Sequence, residues 1–154
     1  MEGAAVLCVD PSSLETAASG AVTGRIWFEG VHPFPDAGWY DFPIVVLSWW
    51  LELLLRLATG QAKTAELRFM DGPFRIRVFA TDDNALVLEF WSGRALTPLE
   101  SNTTDLNQAM AEGISCARAL LAECKTRGWT SADIERLEKI QKEAQKAVRA
   151  ILRA

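Results

Sequence analysis

The stretch from Ile44 to Ala58 constrains this chain most. In those fifteen residues Ser48, Glu52 and Arg56 are the only polar side chains. Their spacing of four places them on one narrow stripe of a helix, with Ile, Val, Leu and Trp on every other face. A helix clothed this way has to be covered on most sides, so it is expected at the centre of the domain. Asp41 is positioned to cap its start, Pro43 falls in the first turn where a missing N–H costs nothing, and Gly60 is a natural stop. Fifteen helical residues cover about 22 Å at roughly 1.5 Å each, short of a bilayer core of about 30 Å. Glu52 and Arg56 can pair at i, i+4 on the exposed stripe. The segment therefore reads as a buried helix and not as a membrane span.

Beyond Gly60 the hydrophobic period changes from 3.6 to 2. Ala65, Leu67 and Phe69 alternate with Glu66, Arg68 and Met70; Asp71-Gly72 signals a turn. Phe74, Ile76, Val78 and Ala80 alternate with Arg75, Arg77 and Phe79. After a second turn at Asp82-Asp83-Asn84, Leu86, Leu88 and Phe90 alternate with Val87, Glu89 and Trp91. This predicts a three-stranded antiparallel meander with one face on the core. Upstream, residues 4–9 and 21–30 are strand candidates, 11–20 read as a loop, and 31–42, with prolines at 33 and 35, as an irregular segment. Either edge of the meander is open to the upstream strands.

Residues 93–101 read as a connection. A long helix follows from about Thr103 to Arg127, with its stripe at Leu106, Met110, Ile114, Ala117, Leu120, Leu121 and Cys124. Gly128 ends it. Thr130 is the expected cap of a last helix from Ser131, with Trp129 and Ile134 at hydrophobic-staple positions. Its stripe is Ile134, Leu137, Ile140, Ala144, Ala147, Val148 and Ile151. The expectation is thus one α+β domain over 1–154: an antiparallel β-meander sheet on one central apolar helix (1–101), followed by a C-terminal αα-hairpin (102–154).

The first twenty residues carry Asp10 and Glu15 and no basic region, unlike a secretory signal. Cys8, Cys116 and Cys124 are an odd set, and the last two lie roughly 12 Å apart along one helix, too far to bridge. Reduced thiols and a cytoplasmic location are expected.

Little in the chain offers catalysis. His32 is the sole histidine; Glu29, Asp36 and Asp41 lie near it, but the prolines deny the helical i, i+3 geometry of metal motifs. No Gly-x-Ser-x-Gly elbow, P-loop, Gly-x-Gly-x-x-Gly or C-x-x-C spacing occurs. Asp82-Asp83-Asn84 fits a turn better than a calcium loop. No catalytic residue, metal site or cofactor is assigned. The outer face of the meander carries Arg68, Arg75 and Arg77 with Phe79 and Trp91, which superficially suggests a base-stacking platform. Glu66 and Glu89 share that face, however, so the C-terminal helices or a partner protein are expected to cover it in preference to RNA.

The distribution of charge says more than its total. The chain has 16 basic and 20 acidic side chains, a net −4. Residues 1–54 hold seven acids (Glu2, Asp10, Glu15, Glu29, Asp36, Asp41, Glu52) against Arg25, and the remaining hundred residues are at +2. Within this acidic third, 29–42 combines carboxylates with Phe34, Trp39, Tyr40 and Phe42. Aromatic anchors beside carboxylates suit a surface that meets a basic protein. The candidate partner-binding residues are Glu29, His32, Phe34, Asp36, Trp39, Tyr40 and Asp41. A loop whose aromatics simply tuck onto the helix has the same composition.

In layout, the strand with Ile26-Trp27-Phe28, the aromatic loop, the helix carrying Trp49-Trp50-Leu51 and the Glu66–Trp91 meander resemble bacterial immunity proteins of contact-dependent growth inhibition and polymorphic toxin systems. The resemblance spans about residues 21–92 and carries over no functional residue. It implies a cytosolic, non-catalytic protein that binds and neutralises a cognate toxin domain, often a basic nuclease, with no direct contact to nucleic acid or membrane. The C-terminal helical hairpin falls outside it, as a scaffold or a homodimerisation element. Two alternatives stand beside this: an acidic, dimeric secretion chaperone, which usually opens with a helix, and a small hydrolase using His32 with Glu29 or Asp36.

Overall fold

The structure, a computed structural model, describes residues 5–153, the side chains of 151–153 excepted. Glu2, Ala4 and the Ile151 side chain, all used above, lie outside the described residues. Over the described residues the fold is α+β, with two antiparallel sheets and three helices.

The first sheet contains β1 (Val6–Thr16), β2 (Val22–Glu29), β3 (Pro33–Phe34) and β4 (Tyr40–Asp41), with β2 in the middle. The expected loop at 11–20 is largely strand. A register shift between Asp10 and Glu15 absorbs Pro11, and the pairing resumes at Glu15 opposite Thr23. Ser13 Oγ accepts the Arg25 N–H at 2.9 Å within that bulge, and Leu14 is fully buried. The upstream strands join neither edge of the meander; they form a sheet of their own.

The central helix α1 (Pro43–Ala58) begins with proline in its first turn, as expected, and gives way to Gly60 at φ +76°. Its N-cap is Phe42, with no side-chain cap; Asp41 is not the cap. Ser48 also departs from expectation. It is buried, with its hydroxyl donating to the Val45 carbonyl at 2.7 Å. Glu52 pairs with Arg56 at 3.4 Å as the spacing predicts, and with Arg136 at 3.1 Å.

The meander is present as β5 (Thr64–Arg68), β6 (Phe74–Ala80) and β7 (Ala85–Ser92), and a fourth strand, β8 (Glu100–Asp105), extends it. Leu67, Ile76, Val78, Leu86, Leu88 and Phe90 point into the core, the faces the alternation assigned. The long helix α2 (Leu106–Thr126) therefore starts later than Thr103. Its cap is Asp105, whose carboxylate accepts from the N–H groups of Asn107 and Gln108 at 2.8 and 3.2 Å. The last helix, α3 (Ala132–Arg153), is capped by Ser131 rather than Thr130: Ser131 Oγ accepts the Ile134 N–H at 3.2 Å.

The two helices form the expected hairpin, and both pack on α1. The inner faces of the sheets meet at an aromatic seam. Phe34 stacks on Phe90 with centroids 4.6 Å apart, Phe28 lies against Trp50 and Phe90, and Trp50 meets Phe69 edge-on at 5.0 Å. Such pairs contribute about 0.5–1.5 kcal/mol each beyond the area they bury. A residual cavity of about 30 Å³ between Leu7, Phe28, Leu47, Trp50 and Gly113 has room for about two water molecules and none for a substrate. Among the described residues, no helix is long and apolar enough to cross a membrane.

Candidate functional site

Strand β2 alternates strictly. Val22, Gly24, Ile26 and Phe28 face the core, which leaves Thr23, Arg25, Trp27 and Glu29 on the outer face. Register then assembles the rest of that face. Val6 lies opposite Glu29, Cys8 opposite Trp27, Asp10 opposite Arg25 and Glu15 opposite Thr23. On the other side of β2, Tyr40 lies opposite Arg25 and Pro33 opposite Glu29. The Arg25 guanidinium sits over the Tyr40 ring at 5.4 Å, and Gly38 lies beside the Arg25 side chain. Trp27 Nε1 donates to Glu29 Oε1 at 2.7 Å, which ties the indole to its neighbour on the same face.

The seven residues singled out in the sequence divide between surface and core. Glu29, His32, Asp36 and Tyr40 are exposed, Tyr40 by 44%, and Trp39 is half-buried. Phe34 (4% exposed) and Asp41 (3%) are not surface groups. Phe34 belongs to the aromatic seam. The Asp41 carboxylate accepts from Trp39 Nε1 (3.0 Å) and from the N–H groups of Phe42 (2.7 Å), Met70 (3.2 Å) and Asp71 (3.1 Å). It ties the irregular segment to the turn between β5 and β6. Four donors satisfy the buried charge, so Asp41 secures the platform instead of touching a partner.

His32 is held by its backbone. Its N–H and that of Val31 donate to the two oxygens of Glu100, at 3.1 and 3.3 Å, and Asn102 Nδ2 donates to the same carboxylate at 2.7 Å. No hydrogen bond reaches the His32 ring among the described residues. Glu29 is engaged by Trp27, and Asp36 Oδ1 accepts the Ala37 N–H at 2.8 Å. The structure thus does not bring His32 together with an acid that could orient it as a base. Among the described residues, no group of three or more His, Cys, Asp or Glu side chains is arranged to hold a metal ion.

Four members of this face, Asp10, Glu15, Arg25 and Trp27, were not in the sequence-derived set. The period-2 alternation of β2 carried the signal for Arg25 and Trp27; Asp10 and Glu15 enter only through the pairing with β1. The resulting surface has Asp10, Glu15, Glu29 and Asp36 around Trp27 and Tyr40, with Arg25 as its cation. Val6, 46% exposed, adds an apolar edge.

The three cysteines are free. Burial pushes the Cys116 thiol up to about 12, and its Sγ donates to the Leu7 carbonyl at 3.6 Å. Cys8 and Cys124 are raised by burial too, Cys8 further by Glu29. Protonated thiols of this kind are poor nucleophiles.

The outer face of the second sheet is open. Of the two expected covers, the C-terminal helices and a partner protein, the first is not the case: the helices pack on α1 and leave Arg68, Arg77 and Phe79 exposed. Glu66 and Glu89 are both expected to pair with arginines across the strands. Glu66 does, receiving Arg75 Nε at 2.9 Å, with Arg68 of its own strand at 3.3 Å, whereas Glu89 accepts from Trp91 Nε1 and, among the described residues, from no arginine.

Comparisons of the chain with family models, with curated proteins and with solved structures give no match.

Proposed function

We propose that this chain is a non-catalytic binding protein that neutralises a cognate toxin domain, in the manner of the immunity proteins its layout resembles. The docking surface is the outer face of the first sheet. One observation carries the reading: three carboxylates of the face, Asp10, Glu15 and Glu29, and exposed Asp36 in the adjoining turn accompany Trp27 and Tyr40, with Arg25 as the one cation on these strands among the described residues. Flat aromatic anchors lose little entropy on binding, and carboxylates around them steer a basic partner and set its register. Cytoplasmic residence belongs to the same proposal, since the toxin would be met inside the cell.

The test is co-expression with the product of the adjacent gene. That product alone is expected to arrest growth, and the wild-type chain to restore it. The triple charge reversal D10K/E29K/D36K is expected to restore nothing while keeping its circular dichroism. A harmless neighbour, or protection by the reversed variant, overturns the proposal. The hydrolase reading is checked by H32A, which this account expects to protect as wild type does.

A further inference from the structure

The second sheet presents an outer face of opposite character. Its strand register lays side chains in rows: Arg68, Arg75 and Trp91 in one, Glu66, Arg77, Glu89 and Ser101 in the next. Arg94 stands in the following turn. Four guanidinium groups therefore face two carboxylates on the half of the sheet next to the 69–74 and 92–95 turns. Both carboxylates are engaged within the face. Glu66 holds Arg75 and Arg68, and Glu89 Oε1 accepts Trp91 Nε1 at 3.2 Å. Arg75 is fixed a second time by donating to the Gly93 carbonyl at 3.0 Å. Arg77 lies over the Trp91 ring at 4.9 Å, and neither it nor Arg94 has a carboxylate within ion-pair distance among the described residues. Between the two turns runs an open groove of about 390 Å³ lined by Arg68, Arg75 and Arg94, with Glu66 as its one carboxylate, and by Phe69 and Phe74.

We infer that this face is a second recognition surface, and that it docks an acidic polypeptide segment of a partner. Charge complementarity supports the assignment. Pre-positioned guanidinium forks match carboxylates in a planar, two-point contact, and their weak hydration makes them the favoured cation for such pairs. A nucleic acid fits less well for two reasons. The Trp91 ring already carries the guanidinium groups of Arg75, at 5.5 Å, and Arg77, so it is not a free platform for a base. Glu66 and Glu89 also interrupt the rows, which opposes a continuous phosphate backbone but leaves room for separated carboxylates. The inference is independent of the toxin-binding reading, because it concerns the other sheet.

The experiment is a titration of the full-length, isotope-labelled chain at low ionic strength with a synthetic peptide of alternating glutamate and serine. Backbone, arginine Nε and indole resonances are followed by NMR. Shifts are expected at Arg68, Arg75, Arg77, Trp91 and Arg94 and not at Trp27, Glu29 or Tyr40. The double variant R77E/R94E is expected to bind at least about tenfold more weakly, whereas K139E/K146E, the same change of net charge made on exposed positions of α3, is expected to bind far closer to wild type. Equal binding of the glutamine version of the peptide, shifts centred elsewhere, or an unaffected R77E/R94E variant would each overturn the inference. So would tighter binding of oligo-deoxythymidine than of the peptide, or sedimentation showing that the face is covered by a second copy of this chain.

Discussion

Two residues of the irregular segment show how a single position can belong to the core while reading as surface. Asp41 is a carboxylate among exposed acids in the sequence, yet it is buried and accepts four hydrogen bonds that join 39–42 to 70–71. Hydrogen bonds to charged groups contribute about 1.5–3 kcal/mol, and buried donors left unpaired add a penalty. D41A is therefore expected to lower unfolding free energy by about 2–4 kcal/mol in urea melts, with D36A, an exposed turn position, within about 0.5 kcal/mol of wild type. Phe34 is the apolar counterpart: its place among prolines reads as loop, but the stacking on Phe90 that buries it depends on a strand more than fifty residues downstream (about the span a local pattern never samples). Cys116 gives a pH signature at the same scale. Its thiol, near 9 in the unfolded chain, is held up to about 12 in the native one, so between those values the native state binds more protons. Stability then falls as pH rises from about 9 towards 12, by at most about 1.4 kcal/mol per pH unit from this group. Alkaline urea melts of C116A are expected to lack that part of the fall; an equal slope in both proteins would show that the thiol is not responsible.

At the scale of elements, what was legible followed from strong periodicity. Helix α1 announces itself because only one stripe of it is polar, and β5–β7 because their apolar residues alternate over three successive runs. Strand β8 was missed because Ser101-Asn102-Thr103-Thr104 contains no apolar residue to alternate; its register with β7 holds it in the sheet, and Asn102 is buried there. The extension of β1 was missed because Asp10-Pro11 reads as a stop, whereas a bulge carries the strand past it. One polar link between the sheets, Glu100 on β8 with the 31–32 backbone, lies beyond any local pattern as well. A Cβ on Gly30 would overlap Glu100 Oε2, so this glycine is what lets the carboxylate approach. G30A and E100A are both expected to speed amide exchange at Val31 and His32 while leaving Ile26 and Phe28 protected. Because they break one contact, their stability losses should fall well short of additive in a double-mutant cycle; full additivity would mean that the Glu100 bridge does not form.

For the whole molecule, the net charge of −4 conceals two sheets of opposite character. The first sheet turns outward a face with Asp10, Glu15, Glu29 and Asp36; the second turns outward Arg68, Arg75, Arg77 and Arg94. The acidic bias of residues 1–54 was legible in the sequence, but the face that uses it was not. Two of the seven residues proposed from the loop are buried, and the strand register supplies Trp27, Arg25, Asp10 and Glu15 in their place. The α2–α3 hairpin braces α1 on the remaining side, through contacts that include Arg136 on Glu52. The measurement that tests the central claim most directly is the affinity of the purified chain for the purified product of the adjacent gene, by calorimetry at low and high salt. The account predicts tight binding by wild type, weakened by added salt, and a loss of at least about a hundredfold in D10K/E29K/D36K at low salt as several rim charges change sign together. An affinity unchanged by the triple reversal, with the variant folded, would contradict it.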